Sequence, residues 1–168
     1  MSKKSVLIVM GSENDLPKVK PAVKILEDLD VDYRVTVASA HRSPVRAKEV
    51  AGAARSEGVG VIIAAAGGAH HLGGAMAANT TLPVIALPIA VGTLGGLDAL
   101  LSAVQMPGGV PIASVGVDGA KNAGLLAANI VGAFDDALGA RLDAQRETQA
   151  GGVVKADARV QEALSKKD

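Results

Sequence analysis

Two textures of apolar and polar positions alternate along this chain. Short runs such as Val6-Leu7-Ile8-Val9 and Val61-Ile62-Ile63-Ala64-Ala65-Ala66 carry no charge at all, the mark of strands buried on both faces. Between them, apolar residues recur at helical spacing, as in Val19, Val23, Ile25, Leu26 and Leu29. Strand-like and helix-like segments take turns along the length of the chain. That order predicts βαβ units and an α/β fold around a parallel sheet.

The expected strands cover residues 5–10, 33–38, 59–66, 82–88 and about 111–117. Asp15 is placed to cap the first helix. Pro17 suits a first turn, whereas Pro21 sits deeper and is expected to kink or delay that helix. Ser43-Pro44 reads as a helix start, a capping hydroxyl followed by Pro at the first helical position, for a helix ending near Glu57 and Gly58. Shorter helices are expected over 76–79 and 97–105, and a long apolar one over 122–142. The polar tail from about residue 150, after Gly151-Gly152, reads as surface helix. No internal repeat or linker divides the chain, so residues 1–168 are expected to form one domain.

Composition narrows the function. Basic and acidic residues balance at 17 each, so no global field favours nucleic acid or an anionic membrane. One Tyr, one Phe and no Trp leave no stacking platform for single-stranded nucleic acid. The absence of Cys excludes disulfides and thiolate chemistry and agrees with a reducing cytoplasm. No apolar run reaches membrane-spanning length. Ala, Gly, Val and Leu supply most of the apolar half, so the elements must pack closely and a subunit interface is expected to add buried area.

The chemistry-bearing residues gather in loops. Met10-Gly11-Ser12-Glu13-Asn14-Asp15 follows the first strand and Ser39-Ala40-His41-Arg42-Ser43-Pro44 the second. Loops leaving the carboxyl ends of neighbouring parallel strands meet where ligands bind. Ser12 and Asp15 alone suit a turn and a cap as well as a ligand, and Ser39 and Arg42 a turn and a solvated charge. Yet an Arg at a strand end beside a helix start is well placed for phosphate. His41 is the sharpest candidate, since imidazole carries protons near neutral pH. His70 and His71 diverge by about 100° on a helix, so His71 is expected to line the crevice while His70 packs or faces solvent. Three histidines and no Cys do not promise a zinc site. The chain holds no dinucleotide fingerprint, P-loop or nucleophile elbow.

Taken in order, these motifs closely resemble the PurE-type N5-carboxyaminoimidazole ribonucleotide mutases of purine biosynthesis. The likeness covers about residues 6–130. Besides the first two loops it rests on Ala66-Gly67-Gly68-Ala69…His71-Leu72, Gly96-Leu97-Asp98, Val104-Gln105-Met106-Pro107 and Asn122-Ala123…Leu125-Leu126-Ala127. The resemblance implies a three-layer α/β/α sandwich with a parallel, flavodoxin-like sheet, assembled as a homo-octamer. It implies that a carboxylate moves from the exocyclic nitrogen of an aminoimidazole ribonucleotide carbamate to ring carbon C4, with no metal, ATP or organic cofactor. His41 would be the general acid and base. Ser12, Asp15 and Arg42 would bind the ribonucleotide, with Ser39 assisting at the phosphate. Gly67, Gly68, Ala69 and His71 would line the pocket for the base and CO2.

The chain departs from the family pattern in three places. His70 stands for a small residue, Gly73 stands for Pro, and the 88–96 loop lacks the usual serines. The nearest rival is the related class that carboxylates aminoimidazole ribonucleotide directly with CO2, which typically has Lys at the position of Arg42 and Arg-Ser-Asn for Gly67-Gly68-Ala69. A non-enzymatic flavodoxin-like binding module is a further alternative. A phosphoacceptor would want Asp where Ala64-Ala65-Ala66 ends the third strand, and a flavin carrier would want aromatics.

Overall fold

A computed structural model of the chain describes residues 4–166. Five parallel strands form its centre: β1 (Ser5–Met10), β2 (Tyr33–Val37), β3 (Val59–Gly67), β4 (Val84–Ile89) and β5 (Ala113–Ser114). Their order across the sheet is β2-β1-β3-β4-β5, the flavodoxin-like arrangement. The order runs one way from β1 to β2 and the other way from β1 to β3. The loops after β1 and β3 therefore part from each other and leave a crevice at the carboxyl edge.

Strand alternation sends side chains to two separate cores. Val6, Ile8 and Met10 of β1 join Val61 and Ile63 of β3 on one face, and Leu7 and Val9 join Ile62 and Ala64 on the other. The first face is covered by α1 (Leu16–Asp28), α5 (Ala120–Gly132) and the beginning of α6 (Asp136–Ser165). The second is covered by α2 (Pro44–Ala54) and α3 (His71–Ala77), with α4 (Leu97–Val104) packed beside α3, β4 and β5. This is the expected three-layer sandwich. Small residues set its spacing. α2 buries Ala47, Ala51 and Ala54, and a methyl group at Gly124 of α5 would lie 2.9 Å from the Ala22 carbonyl oxygen of α1. No helix among the described residues is long and apolar enough to cross a membrane.

Several elements differ from expectation. α1 runs unbroken across Pro21. The N–H that Pro lacks there would have met the carbonyl of Pro17, one turn back, so a single bond is lost. β5 pairs through two residues only, Ala113 and Ser114 opposite Ile85 and Ala86. Pro111 cannot donate to the ladder, and the segment lies at the sheet edge. The apolar stretch read as one helix to residue 142 is divided, because the Asp135 carboxylate accepts the Leu138 N–H at 3.0 Å and starts α6 afresh. α6 then continues through Gly151-Gly152 to Ser165, exposed along most of its length. α3 begins at His71, five residues earlier than its expected start.

Candidate active site

The β1 loop folds back on itself. A 3-10 turn over Glu13–Asp15 follows Ser12, whose hydroxyl oxygen accepts the Asn14 N–H at 3.3 Å. Asp15 does not cap α1 with its side chain, as the sequence suggested. Its carboxylate turns inward and accepts the Ser12 N–H at 3.1 Å. Asp15 is buried, 7 % exposed. Burial raises its pKa above the ordinary carboxylate value, against the lowering effects of the Ser12 N–H and the nearby Arg42 guanidinium.

The β2 loop is closed by serines. The Ser43 oxygen accepts the Ser39 N–H at 2.9 Å and its hydroxyl donates to the Ser39 carbonyl at 3.2 Å. Ser43 therefore spends its side chain on the turn and gives no side-chain cap to α2, although Pro44 takes the first helical position as expected. The Ser39 hydroxyl oxygen accepts the Arg42 N–H at 3.1 Å and keeps its own proton to donate. Arg42 reaches across to β1, where its guanidinium donates to the Gly11 carbonyl at 2.9 Å. A guanidinium has five donors, so this tie leaves capacity for an anion.

The β3 loop supplies the third wall. Gly68 has φ 58°, which a β-carbon would strain. At Gly67 a β-carbon would fall 2.3 Å from Cγ2 of Val91, so the β4 loop presses directly on this backbone. That second loop is held by Asp118, whose carboxylate accepts the Ala90 N–H at 3.1 Å and pairs with the Lys18 ammonium. Burial works against ionisation of Asp118, but these two bonds outweigh it and hold its carboxyl below the usual range.

The loops enclose a cavity of about 450 Å³ lined by Ser12, Asp15, Ser39, His41, Arg42, Gly67, Gly68 and His71. Ala69 is outside this lining. It borders an adjoining cavity of about 450 Å³, more apolar, that shares His41, His70 and His71 with the first. His41 and His71 stand between the two, ring centroids 5.0 Å apart and planes tilted by 42°. One side thus carries hydroxyls, a carboxylate and a guanidinium, and the other Ala75, Ala78, Met106 and Val110. Such a boundary suits a phosphorylated substrate whose reacting end must leave water. Sequence reasoning overlooked Val91 and Asn14 as lining residues and left His70 between two fates. His70 is buried, 3 % exposed; its place between a Gly-rich turn and a helix start was the available signal.

A family model described as AIR carboxylase matches residues 5–151. The chain belongs to the AIR carboxylase family. Relatives in this family include a protein from Pyrococcus abyssi, 58 % identical over 124 residues, covering 74 % of this chain and 71 % of that one. Another, from Bacillus subtilis, is 55 % identical over 142 residues, or 83 % of this chain and 88 % of that one. Both are named N5-carboxyaminoimidazole ribonucleotide mutase. Among solved structures, Treponema denticola PurE superposes with a TM-score of 0.82 at 25 % identity, over 93 % of this chain and 98 % of that one. Membership of the AIR carboxylase family makes the crevice at the β1/β3 switch point the natural place for its chemistry.

Proposed function

We propose that this chain is an N5-carboxyaminoimidazole ribonucleotide mutase, an isomerase of purine biosynthesis that moves a carboxylate from N5 to C4 of the aminoimidazole ribonucleotide. The observation that carries the reading is the His41–His71 pair standing between a polar, Arg42-bearing cavity and an apolar one, in a chain 55–58 % identical to the two relatives above that bear the mutase name. Arg42, Ser39, Ser12 and Asp15 bind the ribonucleotide, the first two at its phosphate. His41 protonates the exocyclic nitrogen as the carbamate C–N bond breaks, releasing CO2 beside His71, where Gly67 and Gly68 of the polar cavity meet Ala69 of the apolar one. Carbon C4 then attacks the CO2, and His41 takes the C4 proton to restore aromaticity. One imidazole thus serves both transfers, and atoms and charge balance without a further reactant.

Residues 1–168 form one working unit in this reading, with α6 as an arm that contacts neighbouring copies in a homo-octamer. The exposed Leu94, Leu97, Leu101 and Val104 around α4 and the small-residue cores support assembly, because isolated subunits would leave that apolar surface in water. The absence of Cys and the metabolic role support a cytoplasmic setting.

Two parallel assays test the function: the N5 carbamate alone, and aminoimidazole ribonucleotide with modest bicarbonate. Rapid formation of the C4 carboxylate is expected in the first and very little in the second. A pocket that retains CO2 released inside it has no need to capture dilute CO2 from solvent. Comparable rates, or the reverse order, would make the chain a direct carboxylase.

A further inference from the structure

His70 is almost fully buried, yet its backbone is left-handed, at φ 39° and ψ 40°. That conformation is strained for a residue with a β-carbon, so surrounding contacts must hold it. One is visible. Nδ1 lies 2.7 Å from the Ala66 carbonyl oxygen, and because a carbonyl only accepts, Nδ1 carries the proton. Nε2 is left as a buried acceptor without a hydrogen-bond partner. Burial lowers the His70 pKa against the opposing effect of the Ala66 bond, so the ring stays neutral and is not a second proton carrier.

Gly73 explains how the ring fits. A β-carbon at this buried position would lie 3.2 Å from His70 Nε2, 3.4 Å from His70 Cδ2 and 3.3 Å from Ile112 Cδ1. The imidazole takes up the room that a side chain at position 73 would need. His70 and Gly73 thus share one volume, the ring filling what the glycine leaves open.

We propose that His70 is a positioning residue for the reaction, with Gly73 as its steric counterpart: the ring wedges beneath the first turn of α3, fixes the left-handed step into that helix, and so holds His71 against His41. His71 is the next residue and the first of α3, and its side chain is exposed. The backbone that carries it therefore has a large part in setting where its ring points. The inference rests on the proposed function in taking His41 as the reacting group.

The test compares wild type with His70→Ala, Gly73→Pro and the double variant, reading kcat, KM, Tm and the imidazole NMR shifts of His41 and His71 in substrate-free protein. His70→Ala is expected to lower kcat by about 10- to 100-fold, the scale of a small misplacement of catalytic groups, with KM changed little and both shifts displaced. Gly73→Pro alone should do at least as much damage, and the double variant should regain most of kcat and the wild-type shifts. His70→Asn tolerates left-handed backbone and offers an amide donor to Ala66; it is expected to fall between wild type and His70→Ala, and it carries the comparison should the alanine variant fail to fold. Additive losses in the double variant, or unmoved shifts in a folded His70→Ala or His70→Asn, would overturn the proposal. If wild type does not turn over the carbamate, the functional reading fails while the shifts still decide the positioning claim.

Discussion

Asp15 follows β1 and His70 follows β3, and the two meet the cost of burying a polar group in opposite ways. They are the buried polar side chains among the described residues, and both border the same cavity. Asp15 has a hydrogen bond from Ser12 and the field of Arg42, yet burial still raises its pKa. His70 spends its proton on Ala66 and leaves a lone pair unmet. An unpaired neutral nitrogen costs about 1–3 kcal/mol, whereas an unpaired charge costs far more. A carboxylate so placed gains from any ligand that brings donors to it, while a neutral ring whose one proton is spent on Ala66 braces the backbone around it. Polar burial therefore places a carboxyl at the cavity after β1 and a backbone tie after β3.

The largest test of that division removes His41, the proposed proton carrier, from the loop between them. His41→Asn keeps polarity and similar bulk but moves no proton, so turnover should fall by at least the roughly 10²–10⁴-fold typical of general acid–base groups. Circular dichroism and light scattering should match wild type, since His41 is exposed. Turnover within a few-fold of wild type would move the chemistry away from the β2 loop. A smaller effect is expected at Arg42, which spans from β2 to Gly11. Arg42→Ala removes charged hydrogen bonds worth roughly 1.5–3 kcal/mol each. KM should rise about 10- to 100-fold, and more at low salt, where screening is weakest. A change confined to kcat would show that Arg42 holds the loops together rather than the phosphate.

How legible was this in the sequence? Uncharged runs such as Val6–Val9 announce buried parallel strands because their neighbours on both faces are helices, and the loop residues follow by topology alone. Arg42, His41 and Ser12 were findable for that reason. The first turn of α3 was not, since it starts from a left-handed histidine, a conformation rare enough outside glycine that the sequence does not announce it. The α5–α6 break was hidden because apolar spacing carries on across Ala133 to Leu142 while one carboxylate, Asp135, restarts the helix. Asp15 shows the same limit. Asp ahead of a helix reads as a cap, and only the folded β1 loop reveals that its carboxylate faces inward.

That inward turn gives the smallest effect and the sharpest comparison with His70. Asp15→Asn keeps an oxygen for the Ser12 N–H but abolishes the charge. With its folded pKa raised, wild-type Asp15 holds more protons in the native than in the unfolded state between the two pKa values. Stability from this site is thus present below the ordinary carboxylate value of about 3.9 and is lost as pH rises through the folded pKa. At pH 7 the ionised, buried carboxylate is a liability, so Asp15→Asn is expected to have a higher Tm than wild type while binding substrate less well. The gap should close as pH falls through the folded pKa and below about 3.9, where the wild-type carboxyl becomes protonated in both states. His70→Ala offers the contrast, since a neutral ring should lower Tm by an amount that changes little between neutral and mildly alkaline pH. An Asp15→Asn variant that melts below wild type at pH 7 would mean that the Ser12 bond and the attraction to Arg42 outweigh burial, and that the carboxylate stabilises the fold as His70 does.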